Sequence, residues 1–178
     1  RGRELATENR ERFQEIRGLE YIALAHLEGG HPEWSLELAR SATELARKMP
    51  MMVGVIYGLA IAGRALSRMA RHDEAVAHFR RALADLERSG QADSRDAAAV
   101  VKDIGVVLQD RGSHLESLPY VKRAAEMAER ALGPDHPETA FALAEEAWTL
   151  GMLGRTDESF PLYERALAAG ARAMGADS

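Results

Sequence analysis

Ala70-Arg-His-Asp-Glu-Ala-Val-Ala-His-Phe-Arg-Arg-Ala82 decides the fold, because the chain writes it again at a fixed interval. Forty-two residues on stands Gly112-Ser-His-Leu-Glu-Ser-Leu-Pro-Tyr-Val-Lys-Arg-Ala124. Forty-two further on stands Gly154-Arg-Thr-Asp-Glu-Ser-Phe-Pro-Leu-Tyr-Glu-Arg-Ala166. A weaker copy lies forty residues upstream, Gly30-His-Pro-Glu-Trp-Ser-Leu-Glu-Leu-Ala-Arg-Ser-Ala42. A period of this length marks a supersecondary unit that buries its apolar face only against its neighbours. An array of that kind presents a surface, which points to binding and away from chemistry.

Composition sets the outer limits. The chain has 178 residues, 46% of them hydrophobic, enough for one domain with a continuous core. No run of about 18 uninterrupted apolar residues occurs, so no membrane span is expected. The opening Arg1-Gly-Arg-Glu-Leu-Ala-Thr-Glu-Asn-Arg is charged throughout and contains no apolar signal region. The absence of cysteine rules out disulfides and suits a reducing cytoplasm. A net charge of −5 argues against a nucleic-acid partner, whose phosphates call for clustered positive charge. Only three of the 23 basic residues are lysine, a bias that fits a GC-rich bacterial genome. The chain lacks an initial Met and its last repeat runs almost to the end, as expected of a piece of something longer.

Within each repeat the apolar spacing predicts two amphipathic helices joined by a tight turn. From Met52 to Met69, Val55, Leu59, Ala62, Gly63 and Leu66 recur at helical intervals. After the turn Ala70-Arg71-His72, Asp73 is the expected N-cap of a helix burying Ala75, Phe79, Ala82, Leu83 and Leu86. Asp93 and Ser94 are cap candidates for the third pair, which runs to Arg111 and from His114 to Leu132. Pro119 falls early in that last helix, where N–H groups have no partner to lose, and Pro161 repeats it one unit on. The fourth pair covers roughly Pro137 to Gly154 and Thr156 to Met174; in the first, a long helix from about Glu4 to Glu28 precedes one opened by Pro32.

The repeats align in columns. Small residues Ala23, Gly63, Gly105 and Ala147 fall together in the first helices, and Ser35, Ala75, Ser117 and Ser159 in the second. A further small column is Ala42, Ala82, Ala124 and Ala166, and larger residues fill between, Leu66, Leu108 and Leu150 in one column and Phe79, Val121 and Tyr163 in another. Small opposite large in register is what interlocking ridges and grooves require.

These columns resemble the tetratricopeptide repeat from about Leu19 to Leu167. The forty-two-residue pitch exceeds the family's usual period of about 34, implying roughly one extra turn in each helix. With Leu132-Gly-Pro-Asp-His-Pro-Glu-Thr-Ala140 between units and prolines at 119 and 161, the variant is similar to the kinesin-light-chain type. In bacteria such repeats are similar to those joined to STAND-type ATPase regulators and serine/threonine kinases. The resemblance implies an all-α, right-handed α-solenoid of about four hairpins (repeats about 8–49, 50–91, 92–133 and 134–175) forming a single domain over 1–178. The first repeat matches worst: His26 stands where an aromatic or leucine is usual, and Ala39 where a bulky residue is usual.

By that resemblance the first helices line a concave wall. Carried over residue by residue, its rungs are Arg17, Glu20, Tyr21 and Leu24; Tyr57, Ile61, Arg64 and Arg68; Lys102, Asp103, Val106 and Asp110; and Phe141, Glu145, Trp148 and Met152. Arg64, Arg68 and Lys102 form a basic stretch, whereas Phe141, Trp148 and Met152 make an apolar, aromatic end. A protein or peptide segment with an acidic group beside apolar anchors would match, since Arg forks onto carboxylates and Trp supplies buried area at low entropy cost. The bland alternative is that the arginines solvate a helix face and Trp148 packs internally. The only asparagine is Asn9, so the Lys/Asn clamp that such repeats use for chaperone tails is absent from the wall.

No catalytic chemistry is expected. His31, His72 and His114 fall in the turns between paired helices and are expected on an exposed edge, roughly 10 Å apart by helix spacing. His136 belongs to a linker, and no HExxH, phosphate loop or Gly-x-Ser-x-Gly elbow occurs. Neither cofactor nor metal is expected. The leading expectation is a cytoplasmic, non-catalytic interaction or sensor module of a bacterial regulator. Two alternatives are an array that self-associates through repeat ends exposing Phe160, Leu162 and Leu167, and one that positions substrate for a larger enzyme.

Overall fold

The structure, a computed structural model, describes residues 2–49 and 51–175. Among them are eight helices and no strand: α1 (Gly2–Glu28), α2 (Pro32–Lys48), α3 (Met52–Arg68), α4 (His72–Arg88), α5 (Arg95–Asp110), α6 (His114–Leu132), α7 (Pro137–Met152) and α8 (Thr156–Gly175). They form four hairpins, as the repeats predict, in two compact units, residues 1–90 and 91–178. In unit 1, α1 packs on α2 and α3, α3 on α2 and α4; in unit 2, α5 packs on α6, α6 on α7 and α7 on α8.

The turn inside each hairpin is built the same way four times. At the end of α3 the Arg71 N–H donates to the Leu66 carbonyl (2.9 Å) and the Ala70 N–H to that of Ser67 (2.9 Å). This pair of bonds closes the helix with one residue in the left-handed region. Gly30, Gly112 and Gly154 take that position in the other hairpins, at φ between 73° and 79°. In the second hairpin it falls to Ala70, at φ 56°, where a Cβ is sterically costly.

Helices α2, α6 and α8 start at Pro32, His114 and Thr156 as the sequence predicts, and only α4 departs from expectation. Helix α4 starts at His72 with Arg71 as its N-cap residue, so Asp73 lies inside the first turn, where its charge faces the helix dipole. Ser94 does cap α5, accepting from the Ala97 N–H at 3.1 Å. Pro119 and Pro161 lie deeper than expected. Each is the sixth residue of its helix, past the free N–H groups, and leaves the Leu115 or Asp157 carbonyl without its helical donor.

Packing inside each hairpin follows the columns. A Cβ added at Gly63 would lie 2.8 Å from the fully buried Phe79 ring, and one at Gly105 2.7 Å from Val121 Cγ1. The neighbouring serine column adds polar ties. Ser117 donates to the Gly105 carbonyl (2.9 Å) and Ser159 to that of Ala147 (2.7 Å), while the equivalent Ser35 hydroxyl is buried without a partner.

Successive hairpins of unit 1 also meet at glycine. A Cβ at Gly58 would fall 2.1 Å from the Thr43 hydroxyl of α2, and one at Gly54 3.3 Å from Ile16 of α1. Beside Gly54 lies Glu20, only 4% exposed, with Oε1 unpartnered and Oε2 3.6 Å from Arg17. Burial pushes the Glu20 carboxyl above its ordinary 4.5, and Arg17 offsets only part of that.

Two stability predictions follow from this packing. Gly63→Ala should lose about 1–3 kcal/mol through overpacking against Phe79, despite a helix-propensity gain of about 1 kcal/mol, whereas Ala70→Gly should gain roughly 0.5–1 kcal/mol by relieving the left-handed alanine. Urea melts of both variants check the pair, and a stabilised Gly63→Ala would contradict the tight approach. For Glu20, a raised folded-state pKa means stability that is fully present below the unfolded value and lost as pH rises through the folded one. Glu20→Gln should therefore raise the melting temperature near pH 7 and leave it unchanged near about pH 4. Equal shifts at both pH values would contradict this.

Candidate functional site

The faces of interest are those of the first helices, α1 and α3 in unit 1 and α5 and α7 in unit 2. In unit 1, Arg17 and Tyr21 stand one turn apart on α1. The Arg17 guanidinium donates to the Tyr21 hydroxyl at 2.8 Å, with its centre 5.0 Å from the Tyr21 ring and 6.0 Å from the Tyr57 ring on α3. Both rings thus lie within cation–π range of the Arg17 guanidinium. Tyr21 is 62% exposed and Tyr57 37%. Arg64 is half-buried and already engaged, and Arg68 is exposed in the last turn of α3, where its charge complements the helix end. Two expected wall residues are not on the wall. Glu20 and Ile61 are buried, Glu20 where Gly54 brings α3 close to α1.

In unit 2, α5 contributes Lys102, Asp103 and Val106, all half-buried, with Asp103 engaged in an interaction. Helix α7 contributes Phe141 (55% exposed), half-buried Glu145, Trp148 (40%) and Met152 (54%). The spacing of these four puts them on one helical stripe. At their C-terminal ends the two helices are tied by a buried bond, Gln109 Nε2 donating to the Thr149 hydroxyl at 2.8 Å. Nearer the N-terminal ends they enclose, together with α6, a cavity of about 420 Å³ lined by Ala98, Ala99 and Lys102 of α5, Ala124, Met127 and Ala128 of α6, and Ala142 of α7. Alanines make the room here: larger side chains at 98, 99 and 142 would fill the space themselves.

The histidines play parts that their positions in the sequence did not reveal. His72 and His114 open α4 and α6 half-buried, not on an exposed edge, and their Nδ1 atoms are buried without a hydrogen-bond partner. The His114 ring meets Trp148 edge to face at 5.2 Å, so Trp148 is held at one side and open at the other. His136 is the N-cap of α7, its Nδ1 accepting from the Glu138 N–H at 3.1 Å. Its two-residue reach to Glu138 at a helix opening could have signalled that cap. Phe160 and Leu167 on α8 are 64% and 74% exposed, whereas Leu162 is half-buried against the core of unit 2. Among the described residues no helix is long and apolar enough to cross a membrane, and no three His, Asp or Glu side chains converge as a metal site would need.

Comparison with known proteins agrees with this architecture. The tetratricopeptide repeat family model matches residues 95–170. No curated protein matches the chain by sequence. By structure it is similar to BtubC (BKLC) from P. vanneervenii, with 17% identity and a TM-score of 0.83 over 96% of this chain and 68% of that one. It is also similar to aspartyl phosphate phosphatase F from Bacillus subtilis (16% identity, TM-score 0.81, 91% of this chain and 42% of that one). A third likeness is to a Rap protein complexed with competence and sporulation factor (20% identity, TM-score 0.74, 88% and 44%). The chain thus spans less than half the length of the last two. Residues 95–170 are a tetratricopeptide-repeat segment, and the chain has the tetratricopeptide-repeat fold.

Proposed function

We propose that this chain is a non-catalytic, cytoplasmic interaction module of a bacterial regulatory protein, which takes a peptide or protein segment against the first-helix faces. The observation that carries the reading is the α5/α7 face of unit 2. A cavity of about 420 Å³ lined by Ala98, Ala99, Lys102, Met127 and Ala142 opens at the N-terminal ends of α5 and α7, and α7 also carries the open stripe of Phe141, Trp148 and Met152. The cavity has room for an apolar side chain, the aromatic stripe offers area to a second, and Lys102 offers charge to a carboxylate. In unit 1, Arg17 near the Tyr21 and Tyr57 rings, together with Arg64 and Arg68, gives a second polar and aromatic face. The likeness to a Rap protein complexed with competence and sporulation factor supports a peptide as the kind of ligand.

A panel of short peptides, each with one Asp or Glu flanked by Leu or Phe, tests this by Trp148 fluorescence in a Trp34→Phe background. Some members should shift the emission with micromolar affinity. Lys102→Glu and Phe141→Ala should each weaken them about tenfold, equivalent to ~1.4 kcal/mol, with unchanged helical content by circular dichroism. Equal affinity in both variants would reject the site.

A further inference from the structure

In unit 2 the gap between the second helices is bridged by charge: Arg165 on α8 donates to Glu129 on α6 at 2.8 Å. The repeat register carries these two positions back to Arg81 on α4 and Arg47 on α2. A cation there replaces the anion, so the matching gap of unit 1 is lined by two guanidinium groups. Among the described residues neither pairs with a carboxylate. The gap stays open as a cavity of about 470 Å³ over Leu59 and Ala62 of α3.

The rest of the lining sharpens the chemistry. Arg40, two turns before Arg47 on the same face of α2, adds a third guanidinium, and Glu44 is the one carboxylate among the lining residues. Among the lining side chains three cations and one anion leave a surplus of two positive charges; Glu74, which also feels Arg40, is already held by the Arg71 guanidinium. His78 also lines the cavity. Its Nδ1 lies 2.9 Å from the Glu74 carbonyl, which can only accept, so Nδ1 carries the proton.

We propose that this cavity binds a phosphoryl dianion, gripped by Arg40, Arg47 and Arg81. A phosphoryl group carries about −1.5 to −2 at neutral pH and matches the surplus, whereas one carboxylate would leave half of it uncompensated. Guanidinium forks suit phosphate oxygens bidentately, and Arg47 and Arg81 line the same cavity without a carboxylate between them.

Calorimetric titration of the whole chain at low salt with inorganic phosphate, O-phospho-L-serine and L-glutamate tests it. Both phosphates should bind, with glutamate at least tenfold weaker. Phosphoserine tighter than phosphate by tenfold or more would place the group on a phosphorylated side chain of a partner; equal affinities would place it on a small phosphorylated molecule. Arg47→Glu should abolish binding while the ligand-free melting temperature holds or rises, because the new carboxylate can pair with Arg81 as Glu129 pairs with Arg165. Arg81→Ala should weaken binding without that compensation. No heat with either phosphate, glutamate binding as tightly, or undiminished binding to Arg47→Glu would overturn the proposal.

Discussion

Everything in this molecule depends on how closely the two helices of a hairpin approach. Gly63 against the Phe79 ring and Gly105 against Val121 leave no space for even a methyl group. That contact sets which stripe of each first helix is core and, by subtraction, which stripe remains for a partner. Dispersion at such contacts is individually small but collectively decisive, and it is lost outright when a gap opens. The hydroxyls of Ser117 and Ser159 reinforce the same approach by satisfying carbonyls of the facing helix.

The repeated columns make the hairpins legible without coordinates. Periodicity places the eight helices to within a residue or two over most of the chain, and the columns mark Gly63 and Gly105 as small and Phe79 and Val121 as large, which the structure brings into contact. What the columns cannot convey is contact beyond the hairpin. Glu20 falls on the outward stripe of its own hairpin, yet Gly54 draws α3 onto α1 and Glu20 becomes buried, and Ile61 is buried as well. The left-handed turn residue is plain where it is Gly30, Gly112 or Gly154 and hidden where it is Ala70, because alanine carries no such signal.

The candidate faces were legible in part for a related reason. Phe141, Trp148 and Met152 stand on one stripe of α7 by spacing alone, and the structure leaves them open. The cavity beside Lys102 arises from the absence of side chains at Ala98, Ala99 and Ala142, and a sequence gives little weight to absence. Likewise the Arg47 and Arg81 juxtaposition emerges only when the paired Glu129 and Arg165 of the other unit are seen to touch. Repetition thus serves twice, once as the source of the fold and again as an internal control that exposes departures from it.

Oxidative footprinting of the free protein, read residue by residue, tests most directly the claim that hairpin packing divides core from open stripe. Trp148, Met152 and Tyr21 should be modified quickly, while Phe79 and Met127, 0% and 3% exposed, should stay unmodified until the chain unfolds. Modification of Phe79 at a rate near that of Trp148 would contradict the account.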